Sequence, residues 1–157
     1  MLEKPVQGMK QVATFFVSGV FFGVPVEMVQ EVLLSQQMAP VPLAGDTIGG
    51  LINLRGQIVT AVDVRRVLKL PEPEAPVESM NVVLRGIEGG SVSLLVDDIG
   101  EVLDLSPSAF EAPPANVPEL FQRLTDGIYK VSDRLLILLK ANELVQSDGE
   151  AEKERVQ

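Results

Sequence analysis

Residues 50–59 have the sequence GLINLRGQIV, which combines two strand signals with a turn signal. The β-prone runs at residues 51–54 and 58–62 are separated by a short segment that includes Gly56, and glycine adopts a positive φ angle without steric cost. Apolar and β-branched residues on both sides of such a connection are typical of a hairpin. The sequence therefore predicts a tight antiparallel hairpin with Arg55 in its turn.

Similar pairs of β-prone runs recur along the chain, each pair joined by a short polar or glycine-containing segment. The remaining predicted strands are residues 12–17 and 20–24, 80–84 and 92–96, and 127–131 and 135–139. Residues 38–42, MAPVP, contain two prolines that lack an amide donor, so this segment is predicted to be an edge or a loop. A chain with roughly nine or ten strands is expected to be mainly β.

Apolar residues at three- and four-residue spacing predict short helices between these strands. A helical turn is expected at residues 27–33 rather than a strand, a second at residues 64–70, and a terminal one at residues 142–145. Residues 71–76, PEPEAP, should form an extended acidic linker, and residues 106–118 a long loop.

The second half of the chain partly repeats the first. Residues 54–68 contain the groups LRG, VD and VL in that order, and residues 84–103 contain the same three groups once an insertion is allowed. A hairpin followed by a short Val-x-x-Val-Leu-like segment therefore occurs twice. This pattern favours two similar small barrels within one domain.

Composition limits the classes of protein to which the chain could belong. Its 157 residues are 46% apolar, which suffices for the core of one domain, and no apolar run approaches the roughly 20 residues of a membrane span. The N-terminus lacks the basic and apolar parts of a secretory signal, so the protein is expected to stay in the cytosol. The net charge of -9 argues against nucleic-acid binding, because the small basic group Arg65, Arg66 and Lys69 is expected to be a solvated face.

Residues for catalysis are largely missing. The chain has no histidine and no cysteine, which removes the commonest general base, imidazole and thiolate metal ligands, and disulfides. The segment DTIG at residues 46–49 differs by one residue from the aspartic protease loop, and Asp97 and Asp98 should point to opposite sides of a strand end. The glycines at residues 86–90 suit a hairpin turn better than a phosphate site. We therefore expect no enzymatic activity, no cofactor and no metal.

Several short motifs accompany the hairpin at residues 16–24 and the segment at residues 50–59. They are VQEV, VDVR, SLLVD, GIYK and LLIL at residues 29–32, 62–65, 93–97, 127–130 and 135–138. In this combination the chain resembles the CheW family of bacterial chemotaxis coupling proteins. The resemblance extends over residues 10–145. It implies two intertwined five-stranded SH3-like β-barrels with short helices, in agreement with the repeated hairpins.

The resemblance also implies a division of the chain and a function. Residues 10–146 would be a CheW-like domain of two barrel subdomains, preceded by a flexible N-terminus at residues 1–9. Composition, and not the resemblance, predicts a disordered acidic tail at residues 147–157, because charged residues there outnumber apolar ones. The protein would be a non-catalytic scaffold that couples the cytoplasmic tips of methyl-accepting chemoreceptors to the regulatory domain of the histidine kinase CheA. It would be cytoplasmic, recruited to membrane-associated receptor arrays without inserting into the membrane, and would need no cofactor.

By the same resemblance, the residues predicted to face receptors are Val29, Glu31, Gly50, Asn53 and Arg55, with Glu31 and Arg55 able to pair by charge. From local sequence alone, Arg55 would be a solvated turn residue, Val29 a core residue and Glu31 an ordinary surface carboxylate.

The apolar, proline-capped edge provides the residues assigned to the kinase side, which are Met38, Val41 and Pro42.

Two other functions remain open. The chain could be a regulatory-domain fragment of the kinase itself, against which the lack of an upstream ATP-binding domain argues. It could also be a β-barrel ligand carrier or enzyme, which should show an enclosed polar pocket with converging titratable groups.

Overall fold

The computed structural model describes residues 8–86 and 90–144, and within them the chain forms twelve strands and only short helices. The strands are β1 (Lys10–Val17), β2 (Val20–Pro25), β3 (Val29–Leu33), β4 (Met38–Ala39), β5 (Ile48–Leu54), β6 (Gln57–Asp63), β7 (Met80–Arg85), β8 (Ser91–Val96), β9 (Asp98–Leu105), β10 (Phe110–Glu111), β11 (Thr125–Val131) and β12 (Arg134–Leu139). The α-helices are α1 (Val64–Val67) and α2 (Glu119–Leu124); 3-10 turns lie at Val26–Met28 and Pro107–Ala109, and residues 141–144 form a helical turn.

The strands form two six-stranded sheets. Sheet I has the order β10-β11-β12-β2-β1-β9, so it is built from both ends of the chain, whereas sheet II has the order β3-β7-β8-β6-β5-β4 and is built from its middle. Most neighbours are antiparallel, but β12 pairs with β2 and β6 pairs with β8 in parallel. The two units are therefore intertwined, because the chain leaves sheet I after β2 and returns to it at β9.

The main hydrophobic core lies between the two sheets. Phe15 and Phe22 from sheet I and Leu84 and Leu94 from sheet II are almost completely buried there. A second core, which includes Phe21 and is made by β1, β2, β9, β11 and β12, fills the other face of sheet I. At roughly 1.5 to 3 kcal/mol for each large buried side chain, this burial is the main stabilising contribution.

A polar network joins the sheets at one end of the main core. The buried guanidinium of Arg65, at the first turn of α1, is ion-paired with Asp97, and its Nε donates to Ser18 Oγ at 3.1 Å. The Ser18 backbone N–H donates to Asp97 Oδ2 at 2.8 Å, and its hydroxyl donates to the carbonyl of Pro71. We call Ser18, Arg65 and Asp97 the inter-sheet joint. It corrects the expectation that Arg65 belongs to a solvated face; the other two members of the basic group, Arg66 and Lys69, are exposed.

The principal hairpins predicted from sequence are confirmed, as are the mainly β class and the helix at α1. The prediction of a helical turn over residues 27–33 is wrong beyond Met28, because Val29–Leu33 is strand β3. Its residues alternate between half-buried and exposed, and its backbone pairs with β7. The spacing of the valines fits a helix, but valine is β-branched and suits a strand equally well. Pairing with β7 therefore decides the structure of this segment.

The predicted internal repeat is confirmed for the hairpins, but the prediction is wrong for the segments that follow them. Helix α1 comes after β6, but the corresponding segment after β8 is strand β9, the edge of sheet I. Each sheet also has six strands instead of five, because the two-residue strands β4 and β10 each extend an edge. Helix α2 was not predicted, and the segment at residues 106–118 contains a 3-10 turn and β10.

The predicted domain boundaries remain a prediction. Most of the flexible N-terminus expected at residues 1–9 and all of the disordered tail expected at residues 147–157 lie outside the described residues.

Candidate functional site

The turn between β5 and β6 holds Arg55 in an unusual backbone conformation. Arg55 has a φ of 53° and Gly56 a φ of 85°, so both central residues have the positive φ of a type I′ hairpin turn. Asn53 Oδ1 accepts a 2.9 Å hydrogen bond from the Gly56 N–H and fixes the turn. Glycine or asparagine is the usual residue where Arg55 stands, because glycine has no β-carbon to clash and the short side chain of asparagine can hydrogen-bond to the local backbone. The turn therefore places Arg55 at some cost in local stability.

Arg55 forms a two-pronged ion pair with Glu31. Its Nη1 donates to Glu31 Oε2 at 2.7 Å and its Nη2 donates to Oε1 at 2.6 Å. The predicted charge pairing of these residues is therefore present in the structure. The Arg55 side chain is 70% exposed and that of Glu31 is 19% exposed. Because a guanidinium has five N–H donors, three of those on Arg55 have no acceptor among the described residues.

This ion pair brings the β3 edge of sheet II back to the β5–β6 hairpin. Strands β3 and β5 are far apart in the hydrogen-bonded order of the sheet, yet Leu33 packs with Leu54 and Val59 beside the pair. A bulge between Val29 and Glu31 bends β3 at this point, and bulges re-aim neighbouring side chains. Side-chain contacts, and not a backbone ladder, therefore hold these strands together.

We predict that Glu31 titrates below its ordinary value of 4.5, because its hydrogen bonds from Arg55 lower the pKa of the carboxyl, while the same bonds raise the pKa of Arg55. A lowered folded-state pKa means that the pair stabilises the protein above pH 4.5 and that this contribution is lost as the pH falls through the folded value. Carbon-13 NMR of the Glu31 carboxyl should show this low pKa. In Arg55→Ala the pKa should return towards 4.5; an unchanged value would contradict the assigned cause.

Gly50 is one of the residues predicted to face receptors, but it is buried beneath strand β4. A buried residue cannot contact a partner directly. A β-carbon at this position would lie 2.8 Å from the Ala39 carbonyl oxygen and 3.0 Å from Met38 Cβ, and the φ of 157° also disfavours a side chain. Gly50 therefore allows β4 to pair closely with β5. It shapes the surface but does not itself face solvent.

The other predicted residues differ in exposure. Val29 is half-buried and packs against the main core, as its local sequence suggested. Met38 and Pro42 are exposed, and Val41 is half-buried, in and after edge strand β4. Met38 pairs with Ile52 of β5, so the edge predicted to face the kinase lies next to the hairpin predicted to face receptors.

Ile58 is a surface residue that sequence reasoning did not single out. It lies directly across the hairpin from Asn53 and is 63% exposed. In sequence Ile58 looked like any strand residue. Only the register of the hairpin shows that it points outward beside Arg55.

An open groove of about 440 Å³ lies beside this hairpin. It is lined by Gln36, Gln37, Met38, Ala39, Leu51 and Asn53.

The segments that resemble catalytic motifs in sequence have structural roles in this fold. The Thr47 carbonyl accepts a 2.7 Å bond from the Asp63 N–H, and Asp97 belongs to the inter-sheet joint. Among residues 8–86 and 90–144, no group of three or more acidic, histidine or cysteine side chains could hold a metal ion. Within the same residues, no helix has the length and apolar character needed to cross a membrane.

The fold and this surface define a class of protein: a mainly β domain of two sheets that carries an ion-paired turn beside an exposed, partly apolar edge. Comparison with known proteins makes the class specific. Residues 11–149 match the family model described as the CheW-like domain, and the chain therefore belongs to the CheW-like family.

Individual relatives agree with this assignment. The chain is 29% identical over 142 residues to the chemotaxis protein CheW of Bacillus subtilis (strain 168), covering 89% of each chain. It is 25% identical to the CheW of Treponema pallidum (strain Nichols), covering 87% of this chain and 82% of that one. The crystal structure of the scaffolding protein TtCheW from Thermoanaerobacter tengcongensis superposes with a TM-score of 0.78 at 24% identity over 92% of each chain. This likeness confirms the predicted SH3-like fold class.

Proposed function

We propose that this chain is a non-catalytic adaptor that couples chemoreceptors to the histidine kinase CheA in bacterial chemosensory signalling. Membership of the CheW-like family supports the adaptor role, and the chemotaxis names of its relatives support the pathway. The absence of histidine and cysteine from the sequence agrees with a protein that acts by binding. The adaptor would work in the cytoplasm, recruited to receptor arrays by its partners.

The observation that best supports a receptor face is the strained, exposed Arg55. A backbone conformation that costs stability persists at functional sites when the side chain is needed where it is. The ion pair with Glu31 holds the guanidinium at a fixed orientation and leaves donors free. We therefore assign the contact with the receptor tip to Arg55 and Glu31, with Val29 and Gly50 supporting the strands beneath them.

The kinase face is assigned to the edge around Met38, Val41 and Pro42. Met38 exposes apolar surface, and prolines on either side of Val41 prevent a long strand from pairing there. This arrangement suits a defined protein contact without open-ended strand addition. The adaptor would thus hold two partners on neighbouring parts of sheet II and transmit receptor signals by geometry.

A binding experiment tests this proposal. Wild-type protein should bind both a receptor cytoplasmic tip and a CheA regulatory domain in calorimetry. Arg55→Asn should weaken receptor binding by roughly tenfold and leave kinase binding unchanged. Because asparagine tolerates the positive φ, this variant should melt at the same temperature as wild type or roughly 2 °C higher.

Two results would count against the assignment. If wild-type protein binds neither partner, the adaptor function fails. If Arg55→Asn melts well below wild type, Arg55 is a structural residue and the receptor face must be placed elsewhere. Glu31→Lys serves as the companion variant, since it removes the pair from the other side and should also weaken receptor binding.

A further inference from the structure

The LRG group that occurs twice in the sequence brings two arginines to the same strand. Arg55 follows β5 and pairs with Glu31, whereas Arg85 is the last residue of β7 and contacts the start of β3. Nη1 of Arg85 donates to the carbonyl of Glu27 at 2.8 Å and to the carbonyl of Val29 at 3.0 Å. Arg85 therefore ties the 3-10 turn before β3 to the first residue of that strand.

The two carbonyls lie just before the point where β3 departs from regular pairing. Val29 and Glu31 pair with the consecutive residues 84 and 83 of β7, so Gln30 is an extra residue in β3. An extra residue bends the strand and redirects the side chains beside it. Because Glu31 is the first paired residue after Gln30, the shape of this bulge sets the direction of the Glu31 carboxylate.

The extra residue is held by the other strand of the β7–β8 hairpin. Ser91, which pairs with Arg85 across the two strands, donates from its hydroxyl to Gln30 Oε1 at 2.9 Å. The pKa of Glu31 is lowered most by its hydrogen bonds from Arg55, and a hydrogen bond from the Gln30 side chain lowers it further. A series of contacts therefore runs from Ser91 through Gln30 to the ion pair.

We propose that Arg85 and Ser91 are positioning residues of the receptor face, which hold the β3 bulge in the shape that aims Glu31 at Arg55. The inference rests on the proposed function, since the receptor face is part of that proposal. The Arg55 side chain is 70% exposed, and an exposed ion pair gains little over the cost of ordering two long side chains. The pair therefore depends on a carboxylate that other contacts already hold in place.

The pKa of Glu31 tests this role without any partner. Arg85→Met keeps most of the apolar stem but cannot donate to the two carbonyls. The pKa of Glu31 should then rise towards 4.5, because a carboxylate that turns away from Arg55 loses the hydrogen bonds that lower its pKa. Ser91→Ala should raise this pKa by a smaller amount, since it removes only the contact with Gln30. Carbon-13 NMR of the Glu31 carboxyl measures both changes.

Binding measurements connect the geometry to the function. In calorimetry with a receptor tip, Arg85→Met should weaken binding by roughly fivefold and Ser91→Ala by roughly two- to threefold. Binding of a CheA regulatory domain should be the same as for wild type in both variants. Thermal melts verify folding, and Ser91→Ala, which removes one hydroxyl and no charge, carries the test alone if Arg85→Met unfolds.

Two controls separate geometry from charge. Arg123→Met removes the same charge from an exposed position on α2 and should change neither the pKa of Glu31 nor receptor binding. The pKa of Glu31 is also measured at 1 M salt, where the Debye length of about 3 Å screens a direct effect of the Arg85 charge. A rise in pKa that comes from a displaced carboxylate persists at this salt concentration.

The outcomes distinguish this inference from the proposed function. If the pKa of Glu31 is unchanged in both Arg85→Met and Ser91→Ala, the positioning role is refuted. If the pKa rises but receptor binding stays at the wild-type value, the direction of Glu31 does not matter to the partner, and the inference is again overturned. If wild-type protein binds neither partner, the proposed function fails, while the NMR result still decides whether the two residues hold the bulge.

Discussion

Arg65→Met is expected to destabilise the protein by roughly 3 kcal/mol, the largest effect on stability that we predict for a charged residue. The Arg65 side chain is only 9% exposed and its partner Asp97 is 23% exposed. Removing the arginine leaves a mostly buried carboxylate without its counter-charge, while methionine keeps much of the side-chain volume. Urea denaturation of the two proteins, followed by circular dichroism, measures the difference in the free energy of unfolding.

The neighbouring residue provides a matched control for this prediction. Arg66 has the same side chain one position further on, but it is 50% exposed and pairs with Asp63 and Glu72 at 3.6 Å. Arg66→Met should therefore cost less than about 1 kcal/mol. Equal losses of unfolding free energy for Arg65→Met and Arg66→Met would show that the inter-sheet joint does not stabilise the protein more than an exposed ion pair does.

A double-mutant cycle measures the coupling within the joint. The loss of unfolding free energy in Arg65→Met combined with Asp97→Asn should be smaller than the sum of the losses in the two single variants.

Arg55→Glu is expected to weaken receptor-tip binding on the order of 100-fold, because it replaces an exposed donor group by a like-charged neighbour of Glu31. The exchanged variant Glu31→Arg/Arg55→Glu separates two explanations. It restores an ion pair between β3 and the hairpin, so the melting temperature should recover towards wild type. Receptor binding should remain weak, because the exposed N–H donors of the guanidinium are then at position 31 instead of position 55.

Calorimetry with a receptor tip and thermal melting provide the two readouts. If the exchanged variant recovers binding along with stability, then the partner needs only an intact pair, and the direct contact by Arg55 is wrong. If neither recovers, the geometry of β3 does not accept an arginine, and Glu31→Gln with Arg55 retained becomes the informative comparison. Binding of the kinase domain, which we propose to involve Met38, should be unaffected in every case.

The hairpins were predictable because their signals are local. A β-prone run, a residue that tolerates positive φ and a second β-prone run specify the turns at Gly19 and Gly56 without reference to the rest of the chain. Strand β3 was mistaken for a helical turn because its valines satisfy both periodicities, and only its pairing with β7 decides between them. The role of Arg65 was hidden for a similar reason, since its partner Asp97 lies 32 positions away.

The candidate site was predictable in part. The opposite charges of Glu31 and Arg55 and the family resemblance together indicated the pair, and its two-pronged geometry agrees with that expectation. The exposure of Ile58 and the groove shared by Met38 and Asn53 depend on strand register, which a one-residue shift would invert. Such features follow from how β4, β5 and β6 align, and no short segment of sequence carries that information.

The arrangement of sheet I has a consequence for how the protein is made on the ribosome. All strands of sheet II emerge as one continuous segment that ends at β8, so this sheet can assemble while the chain is still growing. The N-terminal hairpin β1–β2 must wait, because its neighbours β9 and β12 are synthesised last. During that interval the apolar side chains of Val12 and Phe21 lack their cover from β9, β11 and β12, and exposed apolar strands are prone to aggregate. Slow translation of the last third of the chain should therefore lower the yield of native protein more than slow translation of its middle.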